Sequence, residues 1–203
     1  ENKQLLEEII FHGLSLGADF VEIFLENTDN VSVLVEEDFI TSVSPSFGKG
    51  AGIRIFKDKR DGFVSTNDLS REGLISSINQ AIEMLDIEST TLKRFDGLEN
   101  IRNYSIDKNS WLESIPTINE IGEKLLSSTK FLKKQEKVNV RKGSYARNWQ
   151  KVIIASSDGT FAKDIRLHQT VGLNVIALDK QYRSSGSRRF GSSDSPNEFK
   201  KWN

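Results

Sequence analysis

Two histidines, 29 carboxylates and no cysteine bound the chemistry open to this 203-residue chain. The absence of thiols excludes disulfide scaffolds, thiolate metal sites and cysteine nucleophiles. A hydrolytic zinc site needs three protein ligands and an open position. His12 and His168 lie 156 positions apart with no HExxH-type pairing, so a metal site is not completed by histidines here. His12 falls on the apolar side of a helical pattern beside Ile9 and Leu16, the place of a boundary histidine with satisfied nitrogens. His168 is flanked by Arg166 and Thr170 on the polar side of a strand pattern. Serines and aspartates are plentiful, yet no nucleophile elbow such as GxSxG is expected among them. Glu36, Glu37 and Asp38 could pair carboxylates for acid–base work, but a charged hairpin tip explains them more simply. Gly48-Lys-Gly-Ala-Gly52 has the composition of a phosphate-cradling loop. Such loops open a helix, whereas these glycines lead into a strand pattern with no Lys-Ser/Thr pair, so they mark a kink or close backbone approach.

Charge narrows the function classes further. Lys and Arg total 28, the net charge is −1 and the pI about 6.2, without the basic excess of a protein built to grip nucleic acid. The distribution is uneven. Residues 1–48 carry ten acids against Lys3, and residues 130–151 carry eight bases against Glu136. With Tyr145 and Trp149 interleaved, the basic stretch could contact nucleic acid by phosphate pairing and stacking. A solvated face, or electrostatic docking against another subunit, is the favoured reading. No apolar run approaches the roughly 18 residues that cross a bilayer as a helix. A soluble, cytoplasmic domain without membrane contact is the expectation. Asn30-Val-Ser and Asn103-Tyr-Ser match the glycosylation pattern, but nothing indicates secretion. The chain starts at Glu1 and stops at Trp202-Asn203 after a polar stretch, which reads as a fragment.

The elements that would position these residues follow from periodicity. Leu6, Ile9, Ile10, Gly13 and Leu14 form one face of a helix over 3–16, with Gly17 as its stop. Val21–Leu25 and Val31–Val35 alternate as strands around a turn at Asn27–Asn30, and Phe39–Val43 returns after Glu36–Asp38. Ser44–Gly50 reads as a Pro and Gly-rich passage into the strand Ile53–Phe56, which pairs with Phe63–Thr66 across a turn ending in Asp61-Gly62. A second helix over 70–85 has Ser70 as N-cap, with Leu74, Ile75, Ile78, Ala81, Ile82 and Leu85 inward. Residues 86–110 read as a surface connection, and a third helix spans 116–132. Strands follow over 138–147, 151–155 and 161–178. The last presents Ile165, Leu167, Val171, Leu173, Val175 and Ala177 to a core, interrupted by Gln169, and Arg166, His168, Thr170 and Asn174 to the other side. Ser184–Ser195 has the composition of a linker. The fold class is α+β: an antiparallel, curved sheet with helices packed on one face. One domain over 1–183, with sub-halves 1–86 and 111–183, precedes a polar linker over 184–203.

Several phrases resemble one family. Gly17-Ala-Asp-Phe-Val-Glu22, Ile40-Thr-Ser-Val-Ser44, Gly50-Ala-Gly-Ile-Arg-Ile-Phe56 and above all Asp61-Gly-Phe-Val-Ser-Thr-Asn-Asp-Leu-Ser70 are similar to the N-terminal domain of TldD/PmbA proteins, also called modulators of DNA gyrase. The glycine-led strand followed by Asp-Gly-Phe looks closer to the TldD branch. The resemblance implies a cytoplasmic protein that pairs as a homo- or heterodimer with a TldD/PmbA-type subunit. It implies that the parent is a zinc metallopeptidase that trims or degrades unfolded peptides, with its HExxxH motif in a C-terminal domain beyond this sequence. This chain alone would then be inactive, with no catalytic residue, metal ligand or cofactor of its own, zinc being implied for the full-length parent. Its role would be to enclose substrate and present sheet to an extended peptide. Arg54 and His168, each projecting between apolar neighbours, are the expected substrate-facing groups. The alternative is a non-catalytic PmbA-type partner subunit or dimerisation module.

Overall fold

The computed structural model describes residues 3–87, 93–103 and 115–193. Its elements follow in the order α1 (Lys3–Ser15), β1 (Phe20–Glu36), β2 (Phe39–Lys57), β3 (Arg60–Thr66), α2 (Arg71–Met84), β4 (Glu99–Asn103), α3 (Ile118–Lys133), β5 (Val138–Ser156), β6 (Thr160–Asp179) and β7 (Tyr182–Ser192). The strands form one sheet in the order β3-β2-β1-β5-β6-β4, with β7 also paired to β6. The β2–β3 and β6–β7 pairs are antiparallel, and β4 alone of the registered pairs runs parallel, beside β6. The class is α+β, as the periodicity implies.

Two compact units are each assembled from three stretches. The first takes Glu1–Asn27, Gly48–Ile106 and Lys151–Ile165; the second takes Thr28–Phe47, Asp107–Gln150 and Arg166–Asn203. In the first unit, Leu6, Ile9, Ile10 and Leu14 of α1 and Leu74, Ile78 and Ala81 of α2 share a core with Val21, Ile23, Leu25, Ile53 and Ile55. Both helices therefore cover one sheet face. Gly13 permits their close approach, since a Cβ there would lie 2.8 Å from Val21 Cγ2. Ser70 caps α2 by accepting from Gly73 N at 3.1 Å. In the second unit, Ile121 and Leu125 of α3 pack with Val31, Val33, Val35 and Tyr145. Thr117 and Glu120 close a reciprocal capping box at the start of α3. Ile118, the first residue of α3, is 39% exposed.

The strands are longer than their composition suggests. Asn27–Asn30 is not a turn but part of β1. Its polar side chains are held by β5: Arg147 Nη2 donates to Asp29 Oδ1 at 2.9 Å, and Asn148 Nδ2 donates to Asn30 Oδ1. Ser44–Gly50 likewise runs through β2. The β2–β3 register stops at Ala51↔Thr66, so Pro45 lies on an open edge, where its missing N–H breaks no ladder on that side. The β2–β3 turn is at Asp58–Lys59, and Gly62 pairs with Ile55 inside the ladder. Gly62 is small for another reason: a Cβ would meet Ala81 O at 3.1 Å. The expected break between residues 147 and 151 is absent from β5. The 86–110 connection contains β4, seated by Glu99 N donating to Gly159 O at 2.7 Å. Residues 88–92 and 104–114, and the linker beyond Ser193, lie outside the described residues. Ser184–Ser192, a linker by composition, is β-strand paired along β6.

Candidate functional site

In the first unit, alternation sends Val21, Ile23, Ile53 and Ile55 to the helices and Glu22, Phe24, Gly52 and Arg54 to the other face. That face holds a cleft of about 470 Å³ lined by Glu22, Phe24, Gly52, Arg54, Asp61 and Phe63. Arg54 donates from Nε and Nη2 to Asp61 Oδ2 at 3.1 and 2.9 Å, and its guanidinium lies 4.8 Å from the Phe56 ring centroid. Both partners are about half exposed, at 48% and 47%. Gly52 keeps the floor open, because a Cβ there would stand 3.0 Å from the Phe63 ring. Phe63 is itself 58% exposed. The cleft offers aromatic surface and one neutralised ion pair. That suits contact with a chain's side groups, not nucleophilic chemistry.

His168 stands in the second unit, in a groove of about 510 Å³ that also presents Asn30, Ser32, Ser44, Ser46, Asn148 and Thr170. Its Nδ1 is 2.9 Å from Ser193 Oγ. Among the described residues no carboxylate is bonded to His168, so the pair lacks the orienting acid of a Ser-His-Asp triad. The hydroxyl and amide lining is suited to hydrogen bonds with a peptide main chain. Arg54 and His168 are both exposed, Arg54 in the cleft of the first unit and His168 in the groove of the second.

The other sequence candidates resolve structurally. His12 Nε2 is 2.9 Å from Asn79 Oδ1, a satisfied boundary histidine. Against the expectation of no such motif, Gly13-Leu14-Ser15-Leu16-Gly17 spells GxSxG. Ser15 ends a helix and donates to His12 O at 2.7 Å, so it is no nucleophile elbow. Gly48–Gly52 lies inside β2 and opens no helix.

Four of the eight bases of the basic stretch pair with acids of the acidic one. In the second unit Lys133 pairs with Asp38 at 2.8 Å, Lys142 with Glu36 at 2.6 Å and Arg147 with Asp29 at 2.9 Å. Buried Arg141 pairs with Glu37 and reaches Asp38 at 3.9 Å. The bond from Lys133 holds the Asp38 carboxyl below the usual carboxylate range. Tyr145 is 1% exposed and unavailable for base stacking. Glu36–Asp38 is the β1–β2 hairpin tip, with Glu37 in the left-handed region at φ 56°. No acid–base pair is poised there.

Zinc was implied by resemblance for the full-length protein. Among the described residues no group of three or more His, Cys, Asp or Glu is placed to hold a metal ion. These residues do not fit a zinc site, and no step through zinc follows from them. No helix among them is long and apolar enough to cross a membrane.

Comparison with known proteins supplies what the side chains do not. Residues 21–85 match the PmbA/TldA metallopeptidase domain 1, and residues 99–201 match the PmbA/TldA metallopeptidase central domain. No curated protein matches the chain. Among solved structures, TldE from Thermococcus kodakarensis superposes with a TM-score of 0.75 at 20% identity, over 94% of this chain and 43% of that one. A protein described as a modulator of DNA gyrase from Thermotoga maritima gives 0.72 at 16% identity, over 97% and 45%. Another so described, from Bacteroides thetaiotaomicron, gives 0.64 at 17%, over 95% and 45%. At these identities the likeness is one of fold, and the chain spans less than half the length of each. Two consecutive family domains account for most of the sequence, and the chain belongs to the TldD/PmbA family.

Proposed function

We propose that this chain is the substrate-enclosing and subunit-pairing part of a TldD-like zinc peptidase that trims or degrades unfolded peptides in the cytoplasm. The observation that carries the reading is the match to metallopeptidase domain 1 and the metallopeptidase central domain in succession. In this reading zinc and the catalytic base belong to the part of the parent protein outside this chain. Arg54 and His168 face substrate, and a second TldD/PmbA-type subunit completes the pair. The exposed aromatic lining of the Arg54 cleft and the hydroxyl and amide lining of the His168 groove support contact with an extended chain without demanding one sequence. The open edge of β2 supports subunit pairing, since Phe39, Ile40, Val43 and Phe47 are 40–75% exposed along it.

Site-specific crosslinking tests this reading. A photoreactive residue placed at Arg54 or at His168 in the full-length protein should label an unstructured peptide, and one at Glu83 on α2 should not. Equal labelling from all three positions would contradict the assigned faces.

A further inference from the structure

Strand β7 is an outer strand of the second unit. It pairs with β6 from Asp179↔Tyr182 to Gln169↔Ser192 and, among the described residues, with no other strand. Tyr182 to Arg189 are exposed without interruption. One row of backbone N–H and C=O groups therefore faces outward along most of the strand. The middle of the strand, Ser184-Ser-Gly-Ser187, is small and raises no steric barrier. Charge is the second observation. Arg183, Arg188 and Arg189 lie on β7, and no Asp or Glu occurs from Tyr182 to Ser193. Among the described residues no carboxylate pairs with these arginines; the Arg188 guanidinium instead lies 5.1 Å from the Phe190 ring centroid. By strand alternation Arg183 and Arg189 share one face and Arg188 takes the other. A strand laid beside β7 would have cations above and below it.

We propose that β7 captures acidic, extended peptide segments by strand addition. The β7 main chain supplies the ladder, and Arg183, Arg188 and Arg189 receive Asp or Glu side chains. The proposal rests on the reading of the protein as a handler of unfolded peptides and names the class of segment it engages. A second copy of β7 is the disfavoured occupant, because pairing the strand with itself would set three arginines against three. The other long open edge, residues 39–50 of β2, carries Lys49 as its only charged residue and makes no such selection.

The test uses the 203-residue chain and a fluorescein-labelled peptide of alternating Glu and Thr, read by anisotropy. The Glu-Thr peptide should bind, more weakly as salt rises, and the matching Lys-Thr peptide should not. The joint variant Arg183→Glu, Arg188→Glu, Arg189→Glu should lose at least about tenfold in affinity, three exposed charge contacts being removed. It should then gain binding of the Lys-Thr peptide, a readout that a misfolded variant would not give. Backbone N-methylation at alternate positions of the Glu-Thr peptide should also lose about tenfold, as main-chain bonds are removed. Absence of Glu-Thr binding, binding unchanged by N-methylation, or binding unchanged by charge reversal would each overturn the proposal. None of these outcomes depends on zinc or cleavage, so the peptidase reading fails or stands separately.

Discussion

Tyr145 is fully buried against Val31, Val33, Val35, Ile121 and Leu125, with its hydroxyl 3.4 Å from Gln169 Oε1. Burial pushes its phenol up to about 12, against 10.0 for a free tyrosine. The folded state therefore holds the phenolic proton more tightly than the unfolded state. The resulting stability is complete below about pH 10 and drains as pH rises from 10 through 12, by about 2 kcal/mol at pH 12. Tyr145→Phe removes this contribution. Urea melts across that range should show a shallower alkaline decline than the parent; an identical decline would place the titrating group elsewhere. Gly13 permits a second residue-scale test. Ala normally stabilises a helix interior by up to about 1 kcal/mol over Gly. Here its Cβ would sit 2.8 Å from the Cγ2 of buried, β-branched Val21. Overpacking should win, and Gly13→Ala should destabilise by about 1–3 kcal/mol in the same melts. A gain in stability would show that α1 rides higher on the sheet than described.

Three tight connections set the register of the long strands, and each places a residue other than glycine in the left-handed region. Glu37, Asp58 and Lys180 have φ of 56°, 55° and 54°. Asp tolerates that conformation through local hydrogen bonding, while Lys gains nothing from it. Lys180→Gly should therefore stabilise by up to about 1 kcal/mol in a thermal melt; a loss would mean that the Lys180 side chain contributes to the hairpin. The sequence is most legible where periodicity is strong. Leu6, Ile9, Ile10 and Leu14, and Leu74, Ile78 and Ala81, announce α1 and α2 with their buried faces, and Ser70 marks a start that the structure keeps. Strand ends were hidden because polar residues end strands only when the neighbouring strand offers them nothing. Asp29 and Asn30 find Arg147 and Asn148 across the ladder, and β6 lends order to the Ser, Gly and Arg of β7. The same blindness touched the site. Arg54 is visible as a polar break in an apolar strand, but a turn read at Asp61-Gly62 takes Asp61 off the ladder, where it pairs with Phe56 and lies diagonal to Arg54. The His168 groove draws on β1, β2, β5 and β6, a convergence no local pattern encodes.

Across the chain, four bases of the run over 130–151 pair with four acids of the run over 1–48, all within the second unit. Acids near the β1–β2 tip meet bases from α3 and β5. What is left exposed is sheet: the Arg54 cleft, the His168 groove and the open edges of β2 and β7. In the proposed function such surfaces hold extended chains, and among the described residues no group of three or more His, Cys, Asp or Glu is placed to hold a metal ion. That division of labour is the central claim, and zinc content measured together with cleavage tests it most directly. The 203-residue chain and the full-length product of the same gene would be purified side by side, assayed for bound zinc and incubated with an unstructured peptide. The account predicts stoichiometric zinc and chelator-sensitive cleavage in the longer protein, with neither in the 203-residue chain. Stoichiometric zinc in the short chain would contradict it and return attention to His12 and His168. Zinc in neither would replace the peptidase with the non-catalytic PmbA-type partner.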